Sequence, residues 1–164
     1  MKITSKKKAL PWLWLSVFII VVDQWTKYLI VHHLAFGRPI KIFPWLNLTL
    51  HYNTGAAFSF WGTEGGGWQI YLFALISLIV SVFLMIWLSR IQHSDKWKAV
   101  GLSLVVGGAL GNFIDRVCLG YVIDFIDFHI KDWHYATFNI ADGAICAGVF
   151  LLIIETVFEK RPSS

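Results

Sequence analysis

Four apolar stretches, each as long as a membrane-crossing helix, limit what this chain can fold into. They span 10–31, 68–88, 99–118 and 137–158. A hydrocarbon core of ~30 Å needs roughly 20 helical residues, and each stretch meets that length. The chain has 164 residues, 57% of them hydrophobic, and a mean hydropathy of +0.62, which excludes an ordinary soluble domain. The reading is an all-α membrane protein: a four-transmembrane-helix bundle forming one integral membrane domain over residues 1–164. Loops at about 32–67 and 119–136 connect the spans and are expected to carry a small β-rich extracytoplasmic subdomain and a flap. The start, KITSKKK followed by apolar residues, imitates a signal peptide. No small-residue cleavage site closes it and apolar character resumes past Asp23, so a retained first helix is expected.

The basic residues set the orientation. Lys2, Lys6, Lys7, Lys8, Arg90, Lys96, Lys98, Lys160 and Arg161 fall on one side of a four-span chain. The opposite loops hold only Arg38, Lys41 and Lys131. The positive-inside rule then puts both termini in the cytoplasm and both long loops outside.

Depth along each span brings the polar residues together. Asp23 and Asn112 each lie about 20 Å from the inner ends of their helices, at ~1.5 Å per residue. Asp142 lies about 8 Å below the outer start of the last span by the same count. Asp23, Asn112, Arg116 and Asp142 therefore share one layer near the outer boundary. Asp23 and Lys27, Asn112 and Arg116, and Asn139 and Asp142 are spaced to share a helical face. Ionisable groups inside a membrane face the bundle interior and mark function. Gly107–Gly111, with Gly108 beside it, and Ala144–Gly148 supply small residues for close helix approach.

The outer loops are polar and aromatic. In 39–53, Ile40, Ile42, Leu46, Leu48 and Leu50 partly alternate with Lys41, Asn47 and Thr49, which suggests short surface strands. Pro39 and Pro44 keep any sheet small. NTGAAFSFWGTEGGG is expected to form a mobile flap or interfacial helix over the polar layer. In GYVIDFIDFHIKDWHYA neither period 2 nor period 3.6 fits well. Asp124 is expected at the rim of the polar chamber, facing Asp142.

Two carboxylates near one water-accessible point can share a proton, giving a base and an acid in one site. The alternatives are that Asp142 caps the last helix or pairs with Arg116. Spacing alone leaves catalysis, transport and structure equally open. Asp23–Lys27 reads as a neutralising pair that shapes the site. The outer-side histidines His32, His33, His51, His129 and His134 lack metal-motif spacing such as HExxH and read as interfacial or loop residues, a metal site being the alternative. Cys118 and Cys146 read as small apolar packing residues, a disulfide being the alternative. Most tryptophans fall near the predicted interfaces, as an aromatic belt would have them. No nucleotide-binding glycine loop is present.

DQWTKYLI (23–30), HYNTGAAFS (51–59), GGALGNFIDR (107–116), VIDFIDF (122–128) and FNIADG (138–143) resemble, in order, the motif blocks of the lipoprotein signal peptidase family, also called signal peptidase II. The blocks occur in the family's order along the chain, and together they are highly specific. The resemblance implies a monomeric aspartic endopeptidase of the bacterial inner membrane that works without cofactor, metal or nucleic acid. Its substrates, met among membrane lipid, would be prolipoproteins carrying diacylglycerol on a cysteine, cut just before that cysteine. It implies that Asp124 and Asp142 are the catalytic pair and that Asn53 and Arg116 hold substrate backbone. Asp23, Lys27, Gly55, Gly108, Asn112, Asn139 and Ala141 match further motif positions and are assigned support.

Overall fold

The computed structural model describes residues 8–55 and 67–158. The flap expected beyond Gly55, and the terminal lysines and Arg161 used for orientation, other than Lys8, lie outside these residues.

Four helices are long and apolar enough to cross a membrane. α1 is Leu13–His33, entered through a 3-10 turn at Leu10–Trp12. α2 is Trp68–Arg90, α3 is Lys96–Leu119 and α4 is Ile140–Phe158. The helix α3 is the centre of the bundle and packs against each of the others. It buries twelve residues, against four on α1. Its composition explains this position. Gly101, Gly107, Gly108, Ala109 and Gly111 are buried, and the glycines among them let α1 and α4 approach its backbone. A Cβ at Gly107 would meet the Ser16 carbonyl oxygen of α1 at 2.9 Å. A Cβ at Gly148 of α4 would meet the Gly101 carbonyl oxygen at 2.6 Å. The Gly107–Gly111 pair is thus shared between partners, Gly107 facing α1 and Gly111 facing both Asp23 and Ala141. Large apolar side chains on the opposite faces, such as Trp14, Val21, Tyr71, Phe83 and Phe150, are exposed, as lipid-facing residues should be.

The two outer loops build one antiparallel sheet. β1 (Ile40–Phe43), β2 (Leu46–Asn53), β3 (Val122–Ile130) and β4 (Trp133–His134) stand in the order β1-β2-β3-β4. The expected strands over 39–53 are present. The aperiodic segment 119–136 contains a regular nine-residue strand, β3, which its pattern did not reveal. β3 is buried on both faces along its first four residues, so apolar and polar residues need not alternate there. It is covered by β2, by α1 and α3, and by the segment before α4. Ile30, Leu50, Ile123 and Phe125 form the core that joins this sheet to the bundle.

Two boundaries place the site. Gly120, with φ of 78°, ends α3 in the left-handed conformation and turns the chain straight into β3. At the other end Phe138 bridges Ile126 through two backbone hydrogen bonds, Ile126 N–H to Phe138 O (2.8 Å) and Phe138 N–H to Ile126 O (3.1 Å). The segment entering α4 is therefore fastened to the strand that carries Asp124.

Candidate active site

Asp124 is on β3 and Asp142 is in the first turn of α4. Both line one cavity of about 370 Å³, together with Asn53, Asn112 and Arg116. Its apolar wall includes Val122, Phe138 and Ile145, and at Gly143 and Cys146 it reaches the exposed face of α4. Of the expected layer of Asp23, Asn112, Arg116 and Asp142, the last three line this cavity with Asp124, while Asp23 is fully buried against Lys27 and does not reach it.

Asn139 is not on α4, as its spacing from Asp142 suggested. It stands one residue before the helix and acts as its cap. Its Oδ1 accepts the Asp142 N–H (3.0 Å), and Asp142 Oδ2 accepts the Asn139 N–H (3.1 Å). This reciprocal pair is a capping box with Asp in the place of Glu. With α4 starting at Ile140, Asp142 lies nearer the helix start than the span beginning at 137 implied. Capping and chemistry are therefore not alternatives for Asp142, since one oxygen caps and the other faces a side-chain donor.

Each of the four carboxylate oxygens has a donor. Asp124 Oδ1 accepts from Asn139 Nδ2 (2.8 Å), and Asp124 Oδ2 from Asn53 Nδ2 (3.0 Å). Asp142 Oδ1 accepts from Asn112 Nδ2 (2.8 Å). Asn53 reaches Asp124 because it lies opposite Val122, on the same face of the sheet and two residues away. Burial pushes the Asp124 carboxyl up to about 7. The Asn53 and Asn139 hydrogen bonds oppose that rise, and the neighbouring Asp142 adds to it.

Below the cavity lies a buried ionic cluster. Lys27 Nζ is 2.8 Å from Asp23 Oδ2 and 2.8 Å from Asp115 Oδ2, and donates to Asn112 Oδ1 at 3.0 Å. Lys27 is 2% exposed and Asp23 fully buried, so the ammonium is neutralised inside the protein rather than by solvent. Asp23 Oδ1 accepts the Ala141 N–H (2.9 Å) and ties α1 to the first turn of α4. Asp115 Oδ2 accepts the Ile123 N–H (3.1 Å) and ties α3 to β3. Gln24 joins the cluster through Asp115 Oδ1 (2.8 Å).

Asp23–Lys27 is thus part of a larger network than the simple pair its spacing suggested. Sequence reasoning missed Asp115 and Gln24. Asp115 could have been found by the depth count that found Asn112, since an acidic residue one turn on is in the same layer. The nearby Gly108 and Ala141 meet at the α3–α4 contact, where a Cβ on Gly108 would strike the Ala141 carbonyl oxygen. The buried Gly55 donates its N–H to Asn53 Oδ1 (3.0 Å). Arg116 sets its guanidinium 5.7 Å from the Phe73 ring centre and donates to the Asn112 carbonyl (3.2 Å).

No histidine lines this cavity, although His51 stands opposite Asp124 across β2 and β3. His134 pairs with Asp127 (2.8 Å) on the outer sheet, and His32 and His33 bond backbone carbonyls one turn back. Among the described residues no group of His, Cys, Asp and Glu is arranged to hold a metal. Cys118 and Cys146 are free thiols, both exposed rather than packed.

Residues 15–158 match the family model for signal peptidase (SPase) II. The chain belongs to the signal peptidase II family. It is 65% identical over 163 residues to a lipoprotein signal peptidase of Coxiella burnetii, covering 99% of this chain and 98% of that protein. It is 48% identical over 154 residues to that of Pseudomonas syringae, covering 93% and 88%. A solved bacterial membrane enzyme superposes with a TM-score of 0.82 at 36% identity, covering 97% of each chain. A second, at 33% identity, gives 0.81 over 98% and 100%. The family resemblance carried by the five motif blocks is thereby established over nearly the whole chain. As a signal peptidase II the protein is a peptidase of the bacterial membrane.

Proposed function

We propose that this signal peptidase II is a membrane aspartic endopeptidase. It removes the signal peptide from diacylglyceryl-modified prolipoproteins by cutting on the N-terminal side of the lipidated cysteine. One observation carries the reading: Asp124 and Asp142 line a single cavity and are joined through the side chain and backbone of Asn139. One carboxyl holds a proton and polarises the scissile carbonyl, and the other takes a proton from the attacking water.

Cavity shape supports the substrate class. The substrate's cleavage point joins a membrane-spanning signal helix to a lipid-anchored cysteine, so the carboxylates must meet it from the side, at the outer boundary. The cavity wall reaches the exposed face of α4 at Cys146, where a lipid-borne chain can enter. Asn53 and Arg116 border the cavity and hold substrate backbone in this reading. Lys27, Asp23, Asn112, Asn139, Gly55, Gly108 and Ala141 keep the aspartates in place.

Purified enzyme, a diacylglyceryl-modified prolipoprotein and a gel test the proposal. Asp124→Asn and Asp142→Asn should each lower cleavage by at least ~10³-fold while the protein remains folded in the membrane. Cleavage should be unaffected by chelator. Full activity in either variant would sink the dyad. Ion flux in place of cleavage would make the protein a transporter instead.

A further inference from the structure

The two aspartates have the same number of hydrogen-bond donors but unlike surroundings. Three amides supply three of the four donors, and each amide is oriented by a group that can only donate. Asn53 Oδ1 accepts the Gly55 N–H, and Asn139 Oδ1 accepts the Asp142 N–H. Asn112 Oδ1 accepts from the Lys27 ammonium (3.0 Å) and from Asn139 Nδ2 (3.1 Å). An ammonium has no acceptor, so Asn112 cannot flip without setting its NH2 against two donors. Its Nδ2 is thereby held on Asp142 Oδ1.

The same fixed amide makes the two sides of the dyad unlike, even though Asp23 and Asp115 neutralise the ammonium behind it. Asp142 is half-buried in the first turn of α4, where unpaired N–H groups favour a negative charge. It takes its side-chain donor from an amide polarised by Lys27. Asp124 lies mid-strand, buried, with two neutral amides as donors. The charged groups around the dyad are Arg116 and Asp115 from α3 and Lys27 and Asp23 from α1, with His51 and His134 on the far side of Asp124.

Building on the dyad proposed above, we infer that Asp142 is the ionised member and general base, and Asp124 the protonated member and general acid. Lys27, acting through Asn112, is the positioning residue that sets this order. As the water oxygen bonds to the scissile carbonyl carbon, Asp142 takes one water proton and Asp124 donates a hydrogen bond to the carbonyl oxygen. As the C–N bond breaks, the amine nitrogen takes the Asp124 proton. The proton on Asp142 then returns to Asp124, and the site is reset.

Asn112→Leu and Asn53→Leu separate the two assignments, because each removes a donor from one aspartate. In a pH profile of kcat, Asn112→Leu should raise the acid limb by about one pH unit and leave the alkaline limb in place. Asn53→Leu should raise the alkaline limb and leave the acid limb in place. The crossed result, with Asn112→Leu moving the alkaline limb, overturns the order. Equal movement of both limbs, or of neither, overturns it as well.

A second measurement needs no active variant. In wild-type enzyme labelled with 13C at the aspartate carboxyls, at the pH of maximal kcat, the resonance missing from Asp142→Asn should have the shift of a carboxylate and the one missing from Asp124→Asn that of a carboxylic acid. The reverse order again overturns the assignment. Full cleavage by Asp124→Asn or Asp142→Asn would refute the dyad itself, which is a different failure.

Discussion

At the scale of the residue, Lys27 and Asp124 mark two ways of keeping charge inside a membrane protein. Lys27 is neutralised by Asp23 and Asp115 at 2.8 Å each. Removing the ammonium leaves two buried carboxylates facing each other. Lys27→Met should therefore cost about 3–5 kcal/mol of stability, seen as a large drop in thermal midpoint in detergent. Adding Asp115→Asn to that variant should restore part of the loss. No restoration would mean that the lysine acts by packing alone.

Asp124 responds to pH instead. Its carboxyl is raised to about 7 in the fold, mainly by burial, against ~3.9 in an unfolded chain. The folded state therefore binds the proton more tightly. The associated stability is complete below about pH 4 and is lost as pH rises through about 7, on the order of 2–4 kcal/mol in all. The thermal midpoint of wild-type enzyme should fall from pH 5 to pH 8 by more than that of Asp124→Asn. Parallel curves for the two proteins would refute it.

At the scale of the element, α3 and β3 do the positioning. The glycine face of α3 lets α1 and α4 bring Asp23 and Ala141 within reach of Gly111. Gly108→Ala drives a methyl into the Ala141 carbonyl, one residue before Asp142. It should separate α3 from α4, destabilise the protein by about 1–3 kcal/mol and reduce cleavage at least tenfold. Gly143→Ala is the control on the same helix. Nothing stands within 4 Å of a Cβ there, and helix propensity alone predicts a gain of about 0.5–1 kcal/mol. Equal losses in both variants would show that the effect is not the α3–α4 contact.

β3 is held on its outer half by Asp127, which takes hydrogen bonds from Asn47 (2.8 Å) and His134 (2.8 Å). Burial works against the Asp127 charge, but those bonds and the two nearby imidazoles outweigh it. They hold its carboxyl below the ordinary value.

At the scale of the whole molecule, the sheet and the aspartates gather at one end of a four-helix bundle. The opposite end carries the α2–α3 turn, with Arg90, Lys96 and Lys98. The positive-inside rule predicts that this turn is cytoplasmic and the sheet is outside. In a variant with Cys118 and Cys146 changed to serine, a cysteine at Lys131 should be labelled by an impermeant reagent from outside intact spheroplasts. A cysteine at Gln92 should be labelled only after lysis. The reverse pattern would invert the protein and detach the cavity from the side where prolipoproteins emerge.

The four helices, the layer in which the polar residues meet and the family are all legible along the chain. Span length, hydropathy and 1.5 Å of rise per residue are one-dimensional quantities, and motif blocks are read in order along the chain. The sequence also showed which aspartates to bring together. How they are held follows from packing between elements. β3 is covered on both faces, which erased the alternation that would have announced a strand. Asn139 caps α4 from outside because Phe138 is bonded to Ile126, a contact between segments that local spacing cannot express. Asp115 and Gln24 enter the lysine cluster only because α1 lies against the glycine face of α3. Hydrogen-bond partners are set by packing between elements, and packing is where the sequence pattern stops being local.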